Sequence, residues 1–203
     1  MPLAVRFACF LLCCVAGVVF AQTPAAPTQR IRADVVALDG LNLQLRSRTG
    51  EALTVKLAEN YTVTAVVKIG IERITPGAFV GAASMPQPDG THAALEVLLF
   101  PEARRGSGEG HYPWDLQPGS MMTNATVADV VSIDKGRRMT LKYKDGEQVV
   151  IVPAEAPIVT FEPGDRTMLK PGAHVIVTAT KQPDGTLTAG GVAVGKDGLV
   201  PPM

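Results

Sequence analysis

The strongest constraint on this chain is an internal repeat. Shifting the sequence by 95 positions brings "ADVV" at residues 33–36 onto "ADVV" at 128–131, and Asp39 onto Asp134. The same shift brings "PGA" at 76–78 onto 171–173 and "QPDGT" at 87–91 onto 182–186. Between these blocks one extra residue aligns "GE" at 50–51 with 146–147, and Val63 and Thr64 with Val159 and Thr160. One spacing shared by widely separated blocks marks two homologous units, joined on this reading by residues 101–123.

Each unit reads as strands. "IRADVVAL", "LNLQLRS", "ALTVKL", "TVTAVV", "AFVGAASM" and "HAALEVLLF" alternate apolar with polar residues or are β-branched, and turn residues separate them. The second unit follows with "TVADVVSI", "MTLKYK", "QVVIVP", "PIVTF", "AHVIVTAT" and "LTAGGVAVG". Asp89-Gly90 and Asp184-Gly185 have the chemistry of tight hairpin turns, so these two acids are expected to be structural. No stretch carries an apolar helical stripe over three turns. The expected fold is all-β: two tandem small OB-like β-barrels related by internal duplication, one over residues 30–100 and one over 124–195. Residues 101–123 form the connector that contains Trp114, and 196–203 a frayed C-terminal tail.

At the other end, Arg6 precedes an unbroken apolar run that closes on Val19, Phe20 and Ala21. Small residues there suit signal-peptidase cleavage after Ala21, and the run is short for a bilayer span. The expectation is a signal peptide at 1–21, a flexible segment at 22–29, export to the periplasm and no membrane span after cleavage. All three cysteines (Cys9, Cys13, Cys14) fall inside the apolar run, so the mature chain carries no disulfide and no thiol ligand. Lipid attachment at Cys13 or Cys14 is disfavoured, because Leu11 and Leu12 stand where small residues are needed. Of 19 basic and 19 acidic residues, cleavage removes only Arg6, leaving 18 against 19. A surface so balanced, with few aromatics and no basic stripe, argues against nucleic acid as a partner.

The chemistry-bearing residues concentrate in the connector, "RRGSGEGHYPWDLQPGSMMTN". Glu109, His111 and Asp115 lie within seven residues and could hold a divalent metal, the only cofactor the sequence suggests. A hydrolytic site would use His111 as base, Asp115 or Glu109 to orient it, and Ser107 or Ser120 as nucleophile. The plainer reading has Trp114, with Tyr112 and Leu116, pack against one or both barrels, since a free linker gains nothing from exposing such side chains. Arg104 and Arg105 then form a basic step able to meet a carboxylate, a phosphate or an acidic partner. His92 and His174 occupy non-equivalent positions of the repeat and read as strand residues.

The duplicated units, and above all the joint "FPEARRGSGEGHYPWDLQPGSMMTNATV", resemble a family of exported bacterial proteins with OB-like domains of unknown function. Some of its members carry the label "metal ABC transporter permease", which a chain with no spanning segment after cleavage contradicts. The resemblance implies fold and compartment only. The functional expectation is a non-enzymatic binding or interaction module for a small ligand or an envelope protein. A metal-binding accessory protein and a hydrolase are the alternatives.

Overall fold

The computed structural model describes residues 26–203, so the signal peptide, its cleavage site and the three cysteines lie outside the described residues. Twelve strands follow one another: β1 (Thr28–Asp39), β2 (Asn42–Ser47), β3 (Ala52–Lys68), β4 (Phe79–Pro86), β5 (His92–Leu99), β6 (Gly110–Pro113), β7 (Met121–Ile133), β8 (Gly136–Tyr143), β9 (Gly146–Pro153), β10 (Ile158–Pro163), β11 (His174–Lys181) and β12 (Leu187–Gly195). The chain is all-β. Among the described residues no helix is long and apolar enough to cross a membrane.

The strands close into two five-stranded barrels. In the first, the meander β1-β2-β3 is closed by the hairpin β11-β12, with β11 antiparallel to β1 and β12 parallel to β3. In the second, the meander β7-β8-β9 is closed by the hairpin β4-β5, with β4 antiparallel to β7 and β5 parallel to β9. Both rings therefore have one OB-like strand order. Alternation fills each interior: Ile31, Ala33, Val35, Leu43, Leu45 and Val55 in the first, Val80, Val97, Val127, Met139, Leu141 and Val150 in the second. The hairpin acids are structural, as expected. Gly90 and Gly185 take φ of 82° and 87°, while Asp89 and Asp184 accept the backbone N–H of Thr91 and Thr186.

This arrangement corrects the expected domain boundaries. Neither barrel is a contiguous stretch at 30–100 or 124–195. Each takes its meander from one half of the sequence and its closing hairpin from the other. The crossings between barrels are the segments after β3 and after β9, whereas residues 101–123 join two strands of the same barrel, β5 and β7. The reason is visible in β3: it runs on for 17 residues without a turn and carries the chain past its own barrel. Its far end pairs antiparallel with β10, and there Val66 faces Phe161, its counterpart under the shift of 95. A pseudo-two-fold axis passes through that pair. Around it Val66, Leu98, Val159, Ile176 and Met203 form a third apolar cluster, which glues the barrels together.

The "ADVV" match is also out of register. Val35 pairs with Leu45 and Val127 with Leu141, while Asp34 pairs with His174 and Thr126 with Phe79. The counterpart of residues 33–36 is therefore 125–128, a shift of 92 (Val35 to Val127). Burial agrees: Ala33, Val35, Ala125 and Val127 point inward, and Ala128 is exposed. An odd slip would have turned every side chain of the strand to the wrong face.

The C-terminal segment is docked, not frayed. Arg32 Nε donates to the Met203 carbonyl (2.5 Å) and Arg48 Nη2 to that of Pro201 (2.9 Å). Met203 is buried in the inter-barrel cluster, and this apolar contact with two cationic donors holds a segment that composition alone marks as loose.

Candidate functional site in the cleft between the barrels

The connector is built as a series of tight closures. A 3-10 turn at Glu102–Arg104 places Arg105 on the Glu102 carboxylate with two bonds (2.6 and 2.8 Å) and on the Gly77 carbonyl (2.9 Å), so Arg105 is spent locally. Asn124 Nδ2 then gathers the loop, donating to the carbonyls of Ser107 and Gly108 and to Tyr112 Oη. Opposite it only a glycine fits at position 81, where a Cβ would meet Asn124 Oδ1 at 2.5 Å. After β6, Ser120 Oγ donates to the carbonyls of Trp114 and Gln117, and Trp114 N–H donates to the Ser120 carbonyl.

That last closure presents Trp114 and Asp115 to barrel one. The Arg30 guanidinium lies 3.8 Å from the Trp114 ring centre. Arg30 and Arg32, two residues apart on the outer face of β1, both donate to Asp115 Oδ1 at 2.7 and 2.8 Å. Partial burial works against the Asp115 charge, but the hydrogen bonds and charges of the two arginines outweigh it and hold the carboxyl below its usual range.

Beneath this clamp lies Glu96, on the same face of β5 as Leu98 of the inter-barrel cluster. It is 0% exposed, and neither carboxylate oxygen has a hydrogen-bond partner; the buried Trp114 Nε1–H lacks one as well. Burial pushes the Glu96 pKa from 4.5 up to about 8, and the nearby charges of Arg32 and Arg30 pull it back only in part. Glu96 is therefore mostly neutral at pH 7.

Beside the clamp, and lined by Arg30 and Trp114 in common with it, is a cavity of about 300 Å³. Phe100, Trp114 and Phe161 make its apolar wall, and Thr62 and Thr64 add hydroxyls. Arg104 also borders it, its guanidinium 4.8 Å from the Phe161 ring centre, and forms no ion pair among the described residues. Three guanidiniums (Arg30, Arg32, Arg104) stand here against one ionised carboxylate, Asp115, so the cleft carries two positive charges in excess. A larger hollow of about 520 Å³ lies at the loops beside β10 and β12, but no aromatic lines it. Its Asp165 is occupied in accepting the backbone N–H of Thr167.

The three residues read from the sequence as a metal set go to three different partners. Asp115 is held by Arg30 and Arg32, Glu109 Oε1 accepts Lys144 N–H at 3.1 Å, and His111 Nδ1 meets Thr123 Oγ1 at 2.9 Å. Among the described residues no three His, Cys, Asp or Glu side chains converge on one point. The hydroxyl of Ser120 is committed to backbone carbonyls, and neither Ser120 nor Ser107 hydrogen-bonds to His111. Leu116 is half-buried near Arg30 and Leu53 of barrel one. Arg30, Arg32 and Glu96 went unnoticed in the sequence, although an acid inside the apolar run "HAALEVLLF" was a signal in plain view. No family model, no curated protein and no solved structure matches this chain.

Proposed function

We propose that this chain is an exported, non-enzymatic binding module, and that the cleft between its barrels takes a small anionic ligand with an aromatic or apolar body. The observation that carries this reading is the pair of guanidiniums at one cavity, Arg30 over Trp114 and Arg104 over Phe161, with more positive charge than the local carboxylate neutralises. A guanidinium lying on an aromatic ring is held flat, with its N–H edge free to meet a carboxylate or phosphate in fork geometry. The three rings offer the remainder of the ligand a surface on which to leave water. The volume falls at the small end of ligand sites, about 300 to 1,000 Å³, which suits a single ring bearing an acid group. Export rests on the N-terminal run that closes at Ala21, and it places the ligand in the cell envelope.

Trp114 is the chain's one tryptophan, so its emission reports the cleft alone. Phenyl phosphate is the probe, with inorganic phosphate and benzyl alcohol as partial ligands. The expected result is a saturable change in Trp114 emission with phenyl phosphate that weakens as salt is raised. Arg104→Ala lowers the affinity by about tenfold or more, the worth of a charged hydrogen bond. No saturable change, or an equal response to benzyl alcohol, overturns the proposal.

A further inference from the structure

A second constellation lies away from the cleft, on barrel two. His92 of β5 and His111 of β6 bring their rings to 5.0 Å between centres, at an interplanar angle of 77°. Each is tethered through the same nitrogen: His92 Nδ1 to Ser84 Oγ at 3.0 Å and His111 Nδ1 to Thr123 Oγ1 at 2.9 Å. Neither Nε2 has a hydrogen-bond partner among the described residues. Tyr143 stacks on the other side of His111, with 6.2 Å between ring centres. We infer that His92 and His111 together bind one zinc ion through their Nε2 atoms, with water completing a tetrahedral shell.

Three features lead there. In the tautomer whose Nδ1–H donates to the hydroxyl, Nε2 presents its lone pair outward, which is how ligating histidines are oriented by an outer partner. Burial lowers the pKa of both rings, and His111 lowers that of His92 further, so both are neutral and competent to ligate at pH 7. The spacing also fits. Two imidazoles on one tetrahedral ion, each at a metal–nitrogen length of about 2.1 Å, hold their ring centres roughly 5 Å apart. The site differs from the sequence-derived set in its second ligand: His92, nineteen residues before His111, takes the place of Asp115. It is independent of the anion cleft, and either can fail without the other.

The test is titration of the chelator-stripped full chain with zinc chloride by calorimetry, and with cobalt chloride by visible absorption. The expected outcome is one ion per chain and the intense visible bands of tetrahedral cobalt. His92→Gln and His111→Gln each weaken uptake by no less than the roughly tenfold that losing an outer partner costs. His174→Gln, on the opposite barrel, leaves uptake unchanged. If the His92 variant does not fold, imidazole resonances of the unmodified chain decide: those of His92 and His111 shift together with zinc while those of His174 stay in place. Absence of uptake, uptake that survives in the double variant, or a shift led by His174 overturns the inference.

Discussion

Cut between Phe100 and Pro101, the chain yields two fragments neither of which folds as a monomer. The first holds β1-β2-β3 without the hairpin that closes its barrel, and β4-β5 without the meander they close. The second lacks the reciprocal parts. Folding back on itself would require a reversal inside β3, where "AENYTVTAVVK" offers no glycine or proline. The loss is then the whole folding free energy, about 5 to 15 kcal/mol for a domain of ordinary stability. Mixed in equal amounts, the fragments recover the circular dichroism and mass of the intact chain. A folded, monomeric fragment ending at Phe100 contradicts the exchanged barrels.

Glu96→Gln stabilises the protein at neutral pH. The carboxyl is held near a pKa of about 8 in the folded state against an ordinary 4.5, so the folded state binds the extra proton. Its contribution is therefore intact below about pH 4.5 and is lost as pH rises toward 8. At pH 7 the penalty is on the order of 3 kcal/mol, and a neutral amide of the same shape removes it. The variant and the unmodified protein melt together near pH 4, and the variant melts roughly 10 °C higher at pH 7. A gap independent of pH, or a variant less stable at pH 7, means that Glu96 is ionised and paired with Arg30 and Arg32.

Local structure was legible in the sequence because its causes are local. Alternation exposed the strands, and Asp-Gly pairs exposed the hairpins at residues 89–90 and 184–185. The repeat also announced two units of one design. It could not say which copy closes which barrel, because exchanging β4-β5 for β11-β12 preserves every type of contact. The tandem reading therefore failed on connectivity while the class held. The "ADVV" register failed for a similar reason: identity of letters outweighed the inward pattern of Ala125 and Val127 three residues earlier. In the connector, the packing residues Tyr112 and Trp114 stood out by type. Their partners did not, since Arg30 and Arg32 sit some 80 residues away and look like any solvated pair on a strand.

The account's central claim is that the cleft under Trp114 is a ligand site. A ¹⁵N-labelled chain gives a single indole cross-peak, from the buried and unpartnered Trp114 Nε1–H. Titrated with phenyl phosphate, that peak moves along a saturable curve, and the movement is lost in Arg104→Ala. An indole peak that stays in place while phenyl phosphate shifts resonances elsewhere on the barrels contradicts the claim.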